Sequence, residues 1–396
     1  MPAPLRSTSR RGGPVCDRDT AQDKQICAPL VGGFLTATLN NQTALIDHAD
    51  AFRDALLGWY RQHARGLPWR SEPSLYKTVV SEFMLQQTQV KTVLPYFARW
   101  LDALPDFAAL ARAPESQILK LWEGLGYYTR ARNLHKLAQV LLEKTGGDAK
   151  QTPRTREEWL ALPGIGPYTT AAITSISFGA HAAVVDGNVV RILARLTADA
   201  TPYRDSTSAA KAYTALADAL LNPAHPGDHN QAMMELGATL CLRRKPLCLT
   251  CPVRTLCACT RLGNDAEAYP HLAPKLIEKL TIRRAWCVQN GQLLLHRTPA
   301  KSRRLANLYE LPELKGDDAL PSDEATTSLR RINGSATPLL TKKRGITRYQ
   351  ITEHIYATAA PRGPLPEDHE WVPIAELENV TLSGPHRRWV GELLAK

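Results

Sequence analysis

The chain has 396 residues, enough for two or three domains each with its own core. Hydrophobic residues make up 44%, an ordinary globular share, and no window holds the roughly 18 uninterrupted apolar residues of a membrane span, so no membrane partner is expected. A formal charge of +11 suits a polyanionic partner, although charge by itself does not specify one.

The opening MPAPLRSTSRRGGPVCDRDT lacks an apolar h-region, which argues against secretion. The expected setting is therefore intracellular, cytoplasmic and nucleoid-associated if the chain is bacterial, and the eight cysteines are poor disulfide candidates there. Residues 1–47 mix charge, Gly and Pro with little periodicity and read as a disordered extension. From 48 to 260 apolar residues recur at three-to-four spacing in HADAFRDALLGWYRQHAR, SLYKTVVSEFMLQQTQV, PYTTAAITSISFG, GNVVRILARLTA and similar segments. Capping residues or Pro stand near several starts and Gly near several ends, so an all-α region of many short helices is predicted. Residues 261–280 are polar and Pro-containing, as in a linker. From 281 to 396 the pattern becomes α+β: RRAWCVQNGQLLLHR folds about Asn290-Gly291 as a hairpin, RYQITEHIYATAA alternates as a strand, and PHRRWVGELLA closes as a helix.

Four stretches carry candidate chemistry. In SEFMLQQTQ, Glu82 lies in an apolar helical run and is followed by amides, which fits either a solvated face or an acid beside base-reading groups. Val79 and Leu85 flank it at three residues, and such desolvation raises a carboxyl pKa. LPGIGPYTTAAI joins two helices through glycines that make a compact turn or bring backbone N–H groups to an anion. In VVDGNVVRIL, Asp186 precedes a helix, where it serves as an N-cap or as a carboxylate held ionised by the helix terminus. Cys241, Cys248, Cys251 and Cys257, spaced C-x6-C-x2-C-x5-C, can converge on one centre, and spacing leaves zinc and an iron–sulfur cluster both open. Arg243, Arg244 and Lys245 sit on the loop between the first two and suit a phosphate contact.

Together SEFMLQQTQV, LWEGLGYYTRARNLHK, LPGIGPYTTAAI, VVDGNVVRILAR, NQAMMELGATLC and the four-cysteine spacing resemble the MutY-type adenine DNA glycosylases of the helix-hairpin-helix superfamily, over residues 50 to 260. RRLANLYELPE and LSGPHRRWV are similar, more loosely, to that family's Nudix-like C-terminal domain. The resemblance implies a multi-domain protein: an all-α helix-hairpin-helix glycosylase domain with an iron–sulfur loop, and a smaller α+β Nudix-like domain. It implies a monofunctional enzyme that removes adenine mispaired with 8-oxoguanine or guanine in double-stranded DNA, acts as a monomer and carries a [4Fe-4S] cluster on the four cysteines.

By the same resemblance Glu82 is the catalytic acid and Asp186 the second carboxylate, supported by Tyr168 and Asn188. Protonation at N7 must accompany loss of adenine, and a carboxylate then stabilises the cationic sugar, so the two acids need opposite protonation states. Arg65, Trp69, Arg70 and Gln231 correspond to residues lining the adenine pocket that receives the flipped base. Gln87 and Tyr127 match wedges in the duplex, Thr88 an 8-oxoguanine contact, and Gly164 and Gly166 the hairpin amides that meet phosphate. Arg130 and Arg132 suit either backbone contacts or ordinary surface charge. Where bifunctional relatives place a Schiff-base lysine this chain has Tyr168, so strong lyase activity is not expected. The family's Phe-Ser-His lesion-reading turn aligns with Ile346-Thr347-Arg348, which keeps a hydroxyl at Thr347 and loses the aromatic ring. A lyase of the same superfamily and a non-catalytic DNA-binding scaffold are the rival readings.

Overall fold

The computed structural model describes residues 24–302, 305–314, 337–346 and 348–396, with side chains from residue 36 onward except residue 149. From 24 to 261 the chain is a succession of α-helices joined by short turns. Part of the expected disordered extension is one of them: Lys24–Asp47 is a helix of 24 residues. Leu45 on it is buried, Asn41 Nδ2 donates to the Thr197 carbonyl at 2.9 Å, and Thr38 Oγ1 to Asp199 Oδ1 at 3.4 Å. These residues recur at three-to-four spacing, and tertiary partners rather than composition keep the helix in place.

Two apolar cores organise the helical region. Trp69, Phe83, Phe97, Trp100, Trp122 and Trp159 belong to the first. Phe52, Leu56, Leu193, Tyr213 and Leu236 belong to the second, contributed by helices Ala49–His63, Gly187–Thr197, Ser206–Leu220 and Pro226–Thr239. Trp100 and Trp122, both fully buried, meet edge to face at 5.5 Å, and truncating either to alanine would leave a cavity and cost about 3–5 kcal/mol. Helix Leu75–Leu85 lies in the first core and helix Gly187–Thr197 in the second. Between them, helix Pro167–Phe178 packs on both Leu75–Leu85 and Pro226–Thr239. Glu82 comes from the helix of the first core and Asp186 from the N-cap of the helix of the second, near enough for each carboxyl to feel the other's charge.

The segment SLYKTVVSEFMLQQTQV is not one helix. It splits into Leu75–Leu85 and Val90–Ala103, because Gln87 adopts a left-handed backbone with φ 55° that no α-helix accommodates.

The stretch expected as a linker folds back on the helices. Tyr203 N donates to the His271 carbonyl at 2.8 Å and Ala273 N to the Tyr203 carbonyl at 2.9 Å. Strand β1 (Glu278–Trp286) then opens the C-terminal unit, followed by β2 (Val288–Gln289), β3 (Gln292–Arg297), β4 (Tyr309–Glu310), β5 (Leu340–Ile346), β6 (Tyr349–Ala357) and β7 (His369–Pro373). β6 pairs parallel with β1 and antiparallel with β5; β3 pairs antiparallel with β2, β4 and β7. Asn290 and Gly291 both have positive φ, 50° and 72°, as the β2–β3 hairpin requires. Helix Gly384–Leu394 closes the unit over Leu293, Leu295 and Ile355. The Thr347 hydroxyl expected at the lesion-reading turn lies outside the described residues.

The C-terminal unit docks on the helical region. Leu308 is buried in the first helical core, Tyr128 Oη donates to the Leu382 carbonyl at 3.2 Å, and Arg387 Nε donates to Glu123 Oε1 at 2.8 Å. Among the described residues no helix is long and apolar enough to cross a membrane.

Candidate active site

Ser74 caps helix Leu75–Leu85 by accepting from Lys77 N, and the helix carries Glu82 inward, where it is 6% exposed. Burial pushes its carboxyl up to about 7; the nearby Asp186 adds to the rise, and the Tyr168 hydroxyl and the Arg70 cation oppose it. Tyr168 stands on the first turn of Pro167–Phe178 and its hydroxyl also donates to Met234 Sδ at 3.3 Å. Burial and the two carboxyls hold that phenol well above its usual range, so it remains a donor at every physiological pH.

Asp186 is the N-cap of Gly187–Thr197. Its Oδ1 accepts from Asn188 N at 2.9 Å and Val189 N at 2.8 Å, and its Oδ2 from Asn188 Nδ2 at 2.9 Å. The sequence implied opposite shifts for the two acids, and the structure corrects this: burial raises Asp186 as well, against those three hydrogen bonds. Desolvation of the carboxyl outweighs the donors at the helix start. Asn188 Oδ1 in turn accepts from Arg191 Nη2 at 3.1 Å, and Arg191 Nε donates to the Cys241 carbonyl at 2.9 Å. Sequence reading missed Arg191.

It also missed Glu235, which has no exposed surface. Arg65 grips it with Nε at 2.5 Å and Nη2 at 3.0 Å, and Arg70 Nη1 donates at 2.9 Å. Burial alone would raise this carboxyl, yet Arg65 and Arg70 together hold it below the usual range. Arg70 Nε donates to Gln231 Oε1 at 3.0 Å, so three of the four expected pocket residues share one network beside Glu82. Trp69 is turned into the first core, its ring edge-on to Phe97 at 5.1 Å.

On the outer rim, Gln87 is exposed with φ 55° and Tyr127 is 46% exposed with φ 48°. Arg130, a candidate phosphate contact by sequence, is buried between them, its guanidinium donating to the carbonyls of Phe83 and Met84. Its neighbour Arg132 pairs with Glu115 Oε1 at 3.0 Å and donates to the Ala306 carbonyl. Thr88 Oγ1 accepts from Arg130 Nη2 at 3.3 Å. Gly164 has φ 74°, and a Cβ there would lie 2.5 Å from Asn133 Cβ, so the hairpin admits only glycine. Gly166 caps Pro167–Phe178. In the C-terminal unit, Arg348 pairs with Glu278 at 3.1 Å and stacks on Tyr349.

The four cysteines line one cavity of about 30 Å³ with Arg195 and Arg254. Arg195 Nη1 donates to Cys241 Sγ at 3.2 Å. Burial, and then the neighbouring sulfurs, push the Cys251 thiol up to about 12 against a backbone donor at Val253, so the thiolate form calls for a strong local cation. Among the described residues no three His, Cys, Asp or Glu side chains are grouped to hold a single metal ion. Arg243, Arg244 and Lys245 are exposed beside the cavity.

Residues 80–214 match the family model described as HhH-GPD superfamily base excision DNA repair protein. The chain is 45% identical over 235 residues to the adenine DNA glycosylase of Mus musculus, covering 57% of this chain and 45% of that protein. It is 31% identical over 403 residues to the adenine DNA glycosylase of Schizosaccharomyces pombe, covering 84% of this chain and 87% of the relative. A solved thermostable thymine-DNA glycosylase matches 55% of this chain and 98% of its own at 29% identity, with a TM-score of 0.47. The matched region spans less than half of the mouse protein's length.

Proposed function

Because the chain belongs to the MutY-type adenine DNA glycosylases of the HhH-GPD superfamily, we propose that it removes adenine mispaired with 8-oxoguanine, or with guanine, from double-stranded DNA. One observation carries the reading: Glu82 is a buried acid poised near neutrality, in the field of Asp186 and in contact with the phenol of Tyr168. A proton donor of this pKa can serve adenine N7 while still being protonated at physiological pH.

The flipped adenine enters the cleft beside the Arg65–Arg70–Gln231–Glu235 network, whose donors and acceptors match a purine edge. Glu82 gives its proton to N7 as the C1′–N9 bond breaks. Asp186, its charge spread over three hydrogen bonds, faces the oxocarbenium-like sugar and stabilises it. Asn188 orients Asp186, and Tyr168 orients Glu82. Gln87, Thr88 and Tyr127 hold the duplex open from the rim, with the amides at Gly164 and Gly166 on the backbone. The lyase reading is disfavoured because a phenol cannot form a Schiff base with the opened sugar.

The cysteine cavity can hold a [4Fe-4S] cluster: four thiols line a common space, and each metal of such a cluster takes one thiolate. Such a cluster would brace the loop 241–257, and with it the exposed Arg243, Arg244 and Lys245, against the helix that begins at Asp186.

Incubation of the purified chain with an A:8-oxoguanine duplex, with and without alkali, tests the proposal. Free adenine with breaks only after alkali is expected; breaks without alkali would favour the lyase, and no adenine would refute the reading. Absorption near ~400 nm from thiolate-to-iron charge transfer is expected of the same preparation, and a colourless metal-bound protein would indicate zinc instead.

A further inference from the structure

Gln87 and Tyr127 are separated by forty residues yet share an unusual backbone: both are exposed, neither is glycine, and each has a φ near 50°. Such a conformation persists where surrounding contacts over-determine it. Here one side chain does so for both. Arg130 Nη1 donates to the carbonyls of Phe83, Met84 and Gln86, and Nη2 donates to Leu125 at 3.3 Å, Gly126 at 3.2 Å and the Thr88 hydroxyl. The carbonyls of Gln86 and Gly126 belong to the peptide units that immediately precede Gln87 and Tyr127. A single guanidinium therefore clamps the two peptides whose orientation sets both left-handed residues. Its charge centre lies over two rings, 5.6 Å from that of Tyr127 and 5.3 Å from that of Trp122. The same contacts satisfy the last carbonyls of the helix that bears Glu82.

We propose that Arg130 is a positioning residue for base extrusion: buried and bound to no substrate, it locks Gln87 and Tyr127 into one rigid double wedge and ties that wedge to the Glu82 helix. The proposal rests on the adenine-excision reading for what the wedge opens. It assigns Arg130 neither a phosphate contact nor a surface role, and it explains why a lysine would not suffice. The four N–H groups on Nη1 and Nη2 of a planar guanidinium reach two loops at once, whereas an ammonium offers three donors from one point.

The test compares the full-length protein with Arg130→Lys, using a duplex with 2-aminopurine opposite 8-oxoguanine, whose fluorescence rises when the base leaves the stack. With duplex affinity and melting temperature close to wild type, the variant should show less than about a third of the wild-type rise. Single-turnover adenine release should fall about tenfold or more from the paired duplex, but by less than about threefold when the opposing nucleotide is abasic and less unstacking is needed. A wild-type fluorescence rise, or equal losses on both duplexes, overturns the proposal. Should Arg130→Lys fail to fold, a double-mutant cycle of Gln87→Ala and Tyr127→Ala replaces it. A double variant no worse than about twice the poorer single variant marks one unit, and multiplicative losses overturn the clamp. Extrusion without adenine release by wild type would sink the excision reading and leave the clamp standing; no extrusion by wild type would sink both.

Discussion

Asn188 Nδ2 donates to Asp186 Oδ2 at 2.9 Å while Asn188 Oδ1 accepts from Arg191 Nη2 at 3.1 Å. Because a guanidinium only donates, Arg191 determines which end of the amide faces the carboxylate. Asn188→Asp keeps the size but sets a like charge against Asp186 and removes its side-chain donor. Loss of one hydrogen bond to a charged group is worth about 1.5–3 kcal/mol, so single-turnover excision should fall roughly 10- to 100-fold. Asn188→Asp at wild-type rate would show that Asp186 needs no orientation.

The pH profile follows from the two carboxyls. On the proposed mechanism Glu82 acts protonated and Asp186 ionised; the Glu82 carboxyl is raised to about 7, so the rate should hold below that pH and fall as pH rises through it. The upward shift of Asp186 moves the acid limb above the ordinary aspartate range. Glu82→Gln should remove both the alkaline limb and the activity. Measured rates that keep rising beyond pH 8 would contradict the assignment of Glu82 as the acid.

Glu82 also carries a stability cost. A group whose folded pKa is raised stabilises the fold fully below its unfolded pKa and loses that contribution as pH rises through the folded value. The shift from 4.5 to about 7 corresponds to about 3 kcal/mol at alkaline pH. Glu82→Gln is neutral at every pH, so it should be more stable than wild type at pH 8 and lose the advantage near pH 4.5. Denaturant melts at the two values check this. A uniform destabilisation would mean that the carboxyl is held by contacts that the amide cannot reproduce.

Glu235 should behave in the opposite sense. Glu235→Gln leaves the poorly hydrated Arg70, 13% exposed, without its countercharge, while Arg65, 39% exposed, is screened by water, so the cost should be about 3 kcal/mol, the low end for a broken buried pair. A large fall in the urea midpoint, with activity lost even where the protein is folded, is expected. A midpoint within the error of wild type would show that water screens Arg70 as well as Arg65.

These contrasts show which parts of the site can be read along the chain. Glu82 was legible because its apolar neighbours are adjacent on the helix, and Asp186 because an N-cap is a local feature. The Asn290-Gly291 hairpin and the closing helix were legible for the same reason. Glu235 was not: within NQAMMELGATLC a lone glutamate looks solvated, and the arginines that neutralise it arrive from 165 and 170 residues away. Arg130 read as a phosphate contact or surface charge in YYTRARN because its six acceptors lie on the end of the Glu82 helix and on two loops, up to 47 residues away. The parallel register of Glu278 with Tyr349 likewise depends on strands that no local pattern connects.

The docking of the C-terminal unit supplies the last prediction. Arg387 binds Glu123 through Nε at 2.8 Å and Nη2 at 3.3 Å, and Leu382 N donates to the same carboxylate at 2.9 Å. Glu123 is only 10% exposed, so Arg387→Ala strips two charge-assisted bonds from a poorly hydrated carboxylate and should cost about 2 kcal/mol. Glu123→Ala should cost at least as much, since it also removes the pair with Lys120 Nζ at 2.7 Å and the acceptor of Leu382 N, although Arg387 keeps the carbonyls of Leu377 and Val380. The double variant should then resemble the glutamate variant alone, a non-additivity expected of residues in direct contact. Glu123 immediately precedes the loop that carries Tyr127, so a loosened contact should also raise protease cleavage near residue 124 in the DNA-free protein. Strictly additive effects on the urea midpoint would show that the two side chains do not hold the units together.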